Sequence, residues 1–170
     1  MNANRNPPNA EHCRIEGPAQ QRTLEFKTFR FPLAAMATID LPASPGTVRR
    51  DAFGQATLLH FAPGRFLAPA PRPDMDRHLD ALQAAGVGAL FDVEGKWKAF
   101  ALTGPGAERL LSYSINLAQV LGNRDCAALH LFDCPAVLAR RADAFDVWVE
   151  GSYAAACREC FDELRRMVRG

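Results

Sequence analysis

From Gln55 onward the chain repeats one grammar: short apolar runs broken by Gly, Pro and Asp, each followed by a stretch whose apolar residues fall at helical spacing. Gln55–Phe61 and Arg65–Pro69 predict two strands joined by the turn Ala62-Pro63-Gly64. Pro73 and Asp74 then open a helix carrying Met75, Leu79 and Leu82, which Gly86 stops. Ala89–Val93 and Trp97–Leu102 are again strand-like, with Glu94-Gly95-Lys96 between them, and predict a second hairpin. A second helix is expected over Pro105–Tyr113, with Ala107, Leu110 and Leu111 on one face. Cys126–Phe132, Ala136–Arg140 and Phe145–Val149 predict an antiparallel meander turning at Asp133-Cys134-Pro135 and Ala142-Asp143. The last helix runs from Ser152, a good N-cap, to about Val168, with Tyr153, Cys157, Cys160, Phe161, Leu164 and Val168 on one face. This order predicts an α+β fold, mostly antiparallel, built as two related strand-helix-strand halves that meet near Trp97.

The N-terminal third lacks that regularity. Residues 1–21 are polar, with Pro7, Pro8, Gly17 and Pro18, and carry too few apolar groups to offset the entropy of ordering, so a disordered tail is expected. Residues 22–50 predict an extended Pro-rich arm. In it Leu24 and Phe26 alternate with Glu25 and Lys27, as a short strand or a partner-docking segment would, before Pro32, Pro42, Pro45 and Gly46 interrupt the pattern. Residues 51–170 are then expected to form a single domain, a size that fits a chain of 170 residues.

Composition narrows the function classes. Twenty Lys and Arg stand against 19 Asp and Glu, leaving no surplus with which to hold a phosphate backbone, so nucleic acid is not an expected partner. The longest apolar runs fall far short of the ~20 residues of a membrane span. Residues 1–10 lack a charged start leading into an apolar stretch and do not predict a secretion leader. Five cysteines at irregular spacings are no disulfide framework, which points to a reducing cytoplasm.

Each chemical motif has a plainer reading. Cys157-Arg-Glu-Cys160 has redox and metal-site spacing, yet it lies within a helix on the apolar face, where thiols pack as small hydrophobes, and Cys13, Cys126 and Cys134 supply no second pair. His12, His60, His78 and His130 lack the spacing of a helical zinc site. Ser44, Ser112, Ser114 and Ser152 lack a glycine-flanked elbow. Gly86-Val-Gly88 and Gly104-Pro-Gly106 complete no phosphate-binding fingerprint, and Pro105 removes an amide that such a loop would use. Asp92 and Glu94 form a carboxylate pair at strand spacing, with nothing nearby in sequence to separate their pKa values, so a solvated turn is the expectation. No metal site and no catalytic residue is predicted.

Gly-Val-Gly-Ala-Leu-Phe-Asp-Val at 86–93, Leu-Thr-Gly-Pro-Gly-Ala-Glu-Arg-Leu-Leu at 102–111, Cys-Pro-Ala-Val-Leu at 134–138 and Asp-Ala-Phe-Asp-Val-Trp-Val-Glu-Gly-Ser-Tyr at 143–153 occur in an order and spacing that resemble the gamma subunits of heterotetrameric sarcosine oxidases. The upstream Ala-Pro-Gly-Arg-Phe-Leu-Ala-Pro at 62–69 resembles that family's first hairpin, and together these pieces span about two thirds of the chain. The family is in turn similar to the folate-binding domain of the glycine-cleavage aminomethyltransferases. There, the hairpin after the second helix carries a glycine pair followed by acidic residues, one of which handles a proton at the folate-bound methylene. The stretch His130–Arg141 has only Asp133, then Cys134-Pro135, and no glycine pair.

The resemblance implies a noncatalytic accessory subunit of a heteromeric flavoenzyme that oxidises an N-methyl or secondary amine in sarcosine catabolism. FAD, FMN, NAD and tetrahydrofolate would belong to partner subunits, and this chain would pack against the largest of them. The Pro-rich segment Phe26–Pro45 and exposed aromatics would supply the contacts. A second expectation is a stand-alone folate- or small-ligand-binding module with a pocket near Phe91, Asp92 and Trp97. A third is a small enzyme whose site the motifs do not reveal.

Overall fold

The computed structural model describes residues 13–29, 41–42, 44–71 and 73–169. Among the described residues ten strands form two antiparallel five-stranded sheets, an α+β architecture. The N-terminal sheet has the order β3 (Thr47–Arg50), β4 (Ala56–Ala62), β5 (Arg65–Pro69), β2 (Thr23–Thr28), β6 (Gly88–Asp92). The C-terminal sheet has the order β1 (Arg14–Gln20), β7 (Trp97–Thr103), β10 (Ala144–Glu150), β9 (Cys134–Arg140), β8 (Cys126–Leu131). The helices are α1 (Pro73–Ala84), α2 (Ala107–Ser112), α3 (Leu117–Val120) and α4 (Ala154–Arg169).

Strand alternation and helical spacing together produce a stack of helix, sheet, sheet and helix. Leu24, Phe26, Leu58, Phe66 and Ala68 line the outer face of the N-terminal sheet and receive Met75, Leu79 and Leu82 of α1. The residues between them in sequence point the other way, so Leu59, Phe61 and Leu67 meet Trp97, Cys126, Val137, Ala139 and Trp148 of the C-terminal sheet. The outer face of that second sheet, through Phe100, Leu102, Leu138 and Val147, is covered by Leu110, Leu111, Leu117, Cys157 and Phe161. Full burial of Phe161 alone contributes about 3 kcal/mol.

The first hairpin and the meander form as expected, the former with Leu59 opposite Leu67 and the latter with β9 between β8 and β10. Three expectations change. Ala89–Val93 and Trp97–Leu102 make no hairpin: β6 pairs with β2, β7 pairs with β1 and β10, and the chain passes from one sheet to the other between Asp92 and Trp97. The Glu94-Gly95-Lys96 turn is the same either way, and the face on which each strand finds apolar partners decides. The meander's first turn is Phe132-Asp133, with both φ angles positive at 51° and 61°, so β9 begins at Cys134. Phe132 holds this unfavourable conformation while packing edge-on against Phe161, with ring centroids 5.1 Å apart. Ser152 lies in a 3-10 turn, Gly151–Tyr153, that precedes α4 rather than capping it.

The N-terminal segments also differ from the sequence expectation. Arg14–Gln20 pairs along β7 and buries Cys13 and Ile15, while Thr23–Thr28 lies between β5 and β6. A long-range partner strand supplies the backbone hydrogen bonds, so one or two apolar side chains per strand are enough. Phe26, expected in a partner-docking arm, is buried under α1. Residues 1–12 of the tail expected over 1–21, and residues 30–40 and 43 of the arm expected over 22–50, lie outside the described residues. Among the described residues, no helix is long and apolar enough to cross a membrane.

Candidate functional site

Phe91, Asp92 and Trp97 come from different sheets and serve different ends. Phe91 faces the same side of the N-terminal sheet as its register partner Glu25, but it lies beyond the cover of the second sheet and is 44% exposed, with the Lys27 ammonium 5.3 Å from its ring centre. Asp92 accepts from Arg22 Nε at 3.0 Å and from the Glu94 backbone N–H at 3.2 Å. Arg22 also reaches Asp76 of α1 at 2.6 Å, so Asp92 belongs to a clasp between helix and strand. Trp97 is 4% exposed between the sheets.

What links these residues is Glu25. Its carboxylate is buried between the sheets, where it accepts from Lys96 Nζ at 2.5 Å and from Trp97 Nε1 at 2.7 Å, and Arg65 stands 3.8 Å from its other oxygen. Burial alone would raise this carboxyl, but the hydrogen bonds from Lys96 and Trp97 and the charges of Lys96 and Arg65 outweigh it and hold the pKa below the ordinary value. The cluster therefore fastens the start of β7 to β2. It is a staple, with one oxygen accepting from both Lys96 and Trp97 and the other facing Arg65, rather than an acid or base poised for catalysis.

The remaining motifs fall into plain structural places. All five cysteines are free. Cys157 lies under the C-terminal sheet, and burial, reinforced by Cys134 and Cys160, pushes its thiol up to about 12. Cys126, between the sheets, is likewise raised to about 12 by burial. Such thiols are poor nucleophiles. No group of three or more His, Cys, Asp or Glu side chains among the described residues is arranged to hold a metal ion. Asp133, the single acid of the second hairpin, is exposed at the turn.

A cleft of about 450 Å³ is lined by residues of both sheets. Glu16, Gly17 and Ala19 of β1, Asp51, Gln55, Ala56 and Thr57, Pro69 and Ala70, Ala99 to Ala101, and Asp146 and Trp148 of β10 form its walls. Asp146 accepts from Arg141 at 2.9 Å, yet burial outweighs that cation and raises its carboxyl. Trp148 and Asp146 were legible in sequence only as strand residues. The cleft is built from five separated segments, and nothing local marks it.

No family model matches the sequence, and no curated protein matches it significantly. Solved structures do. The chain is similar to a chain of the heterotetrameric sarcosine oxidase of Corynebacterium sp. U-96, solved in complex with pyrrole 2-carboxylate, with a TM-score of 0.75 and 22% identity over 93% of this chain and 86% of that one. It is also similar to the glycine cleavage system aminomethyltransferase T of Bartonella henselae, with a TM-score of 0.58 and 15% identity, covering 88% of this chain and 45% of that one. At these identities the likeness is one of fold, and the fold is the α+β type with two antiparallel sheets.

Proposed function

We propose that this chain is a noncatalytic accessory subunit of a heteromeric, sarcosine-oxidase-like flavoenzyme that oxidises an N-methyl or secondary amine, and that it packs against a larger subunit. The supporting observation is one of extent. The chain matches 86% of one chain of a heterotetramer but only 45% of an aminomethyltransferase, so it corresponds to a near-complete subunit in the first case and to part of an enzyme in the second. FAD, FMN, NAD and tetrahydrofolate are assigned to partner chains in this proposal.

In this proposal the contact surface is the β6 edge of the N-terminal sheet. Phe29 is 70% exposed just beyond β2, and Phe91 on β6 is exposed beside Lys27. Aromatic side chains of this kind contribute disproportionately to association when an interface dries them. The purified chain, assayed with N-methyl and secondary amines, should show no turnover and no unaided binding of reduced folate. Addition of the larger flavoprotein subunits of a sarcosine-oxidase-like enzyme from the same host should give a stable complex. Tight folate binding by the isolated chain would favour the stand-alone module, and turnover without added flavin would favour an enzyme.

A further inference from the structure

Each sheet ends in two edge strands, and three of these four edges are blunted. On β1, the Arg158 guanidinium of α4 donates to the Ile15 and Gly17 carbonyl oxygens at 3.4 and 2.8 Å, and Pro18 has no N–H to offer. On β6, Gln83 Oε1 of α1 accepts the outward N–H of Leu90 at 2.7 Å, so contact there falls to side chains. β3 is four residues long and loses register between Arg49 and Arg50. β8 is different. Leu131 and Cys134 close the two-residue turn as a hydrogen-bonded pair, so alternation along the antiparallel ladder turns the N–H and C=O groups of Ala128 and His130 away from β9. The same alternation sends the Cys126 N–H outward, where it meets the Gly46 carbonyl at 3.1 Å. Ala128 and His130 are exposed, and their outward backbone groups form no hydrogen bond among the described residues.

Ala128, Leu129 and His130 line a cleft of about 270 Å³ together with Phe61, Trp97 and Val137. Ala128 and His130 fall on the same face of β8 as Cys126, the face turned to the N-terminal sheet. A strand laid along β8 would therefore set alternate side chains over this cleft. Arg65 and Glu150 give the cleft its charge. The Arg65 guanidinium stands 5.0 Å from the centre of the Phe61 ring, with its side chain 44% exposed, and lies 3.8 Å from Glu25, a carboxylate that already accepts from Lys96 and Trp97. It makes no hydrogen bond among the described residues and keeps its donors for an incoming carboxylate. Glu150 in the same cleft repels a run of acids, so a single acidic side chain among neutral residues is the complement.

We propose, resting on the subunit reading above, that a strand from another subunit extends the C-terminal sheet at β8, pairing through its backbone with Ala128 and His130 and setting one carboxylate side chain against Arg65. To test this, the full chain is assembled with the remaining subunits of a sarcosine-oxidase-like enzyme from the same host, and amide exchange into deuterium oxide is compared with that of the free chain, quenched and read residue by residue by NMR. Exchange at Ala128 and His130 should slow about tenfold or more in the assembly, whereas Ala127 and Leu129, bonded to β9, should be protected in both states. Ala128→Pro removes only an outward N–H and leaves the ladder to β9 whole, so it should weaken association about tenfold or more. Arg65→Gln should weaken it about fivefold, and His130→Ala, which keeps the backbone, less than about twofold. Should Ala128→Pro not fold, exchange in the wild-type chain still decides. An assembly in which both amides exchange as in the free chain overturns the added strand and leaves the subunit reading standing, whereas no assembly at all overturns both. Protection that rises with the concentration of the chain alone gives the edge to a second copy, and a loss from His130→Ala equal to that from Ala128→Pro gives it to side-chain packing; either overturns the proposal. Unchanged affinity in Arg65→Gln overturns the carboxylate.

Discussion

Glu25→Ala tests the staple between the sheets. The substitution removes an acceptor from the Lys96 ammonium at 2.5 Å and from the Trp97 indole at 2.7 Å. The Lys96 and Arg65 side chains are 37% and 44% exposed, so water recovers both cations and their loss costs little. The indole N–H stays buried with no acceptor, at about 1–3 kcal/mol, and the vacated volume adds to this, so a total of about 3 kcal/mol is expected. Glu25→Gln keeps an oxygen for Trp97 and loses only the charge, for about 1 kcal/mol. With an m-value of about 2 kcal/mol/M, urea unfolding followed by tryptophan fluorescence should show the midpoint falling by about 1.5 M for Ala and 0.5 M for Gln. Because the folded-state pKa of Glu25 is depressed, its contribution is fully present above the ordinary value of 4.5 and is lost as pH falls through the lower folded value. The gap between wild type and Glu25→Gln should therefore hold constant from neutrality down to about the ordinary value, narrow as pH falls from there through the lower folded value, and be closed below it. Equal costs for Ala and Gln, or a gap that does not narrow in acid, would refute the reasoning.

Other expectations follow from single contacts. At Gly88 an added Cβ would stand 2.3 Å from the Lys27 carbonyl oxygen, so Gly88→Ala should push β6 off β2 and cost about 1–3 kcal/mol by thermal or urea unfolding. Of the five free cysteines only Cys160 is not buried, and burial raises Cys13 to about 11 and Cys126 and Cys157 to about 12. A thiol reagent at neutral pH should modify Cys160 promptly and the other four only on unfolding, as counted by intact mass. Phe91→Ser should change stability by about 0.5 kcal/mol, since the ring is exposed and loses mainly the Lys27 contact, yet weaken association with the flavoprotein partner about tenfold or more in a binding titration.

Much of the fold could be read from residues because its signals are local. The alternation in Leu58–Phe61 and Arg65–Leu67 and the helical spacing of Met75, Leu79 and Leu82 each specify one buried face without reference to distant chain. What escaped was non-local. Ile15 is strand-forming only because β7 lies alongside, and Leu24 and Phe26 only because β5, β6 and α1 enclose them. The Glu94-Gly95-Lys96 turn carries no information on whether its flanking strands pair with each other or diverge into two sheets. The site suffered in the same way. Phe91, Asp92 and Trp97 are close in sequence but part at that turn, whereas Glu25, which joins two of their environments, is 72 residues from Trp97.

Tagged purification from the native host, with the mass and visible spectrum of the eluate recorded, decides whether the chain works as a subunit. It should elute in a heteromeric complex that carries bound flavin and oxidises an N-methyl or secondary amine. Elution as a colourless, monodisperse single chain, with no flavoprotein retained at physiological salt, would contradict it.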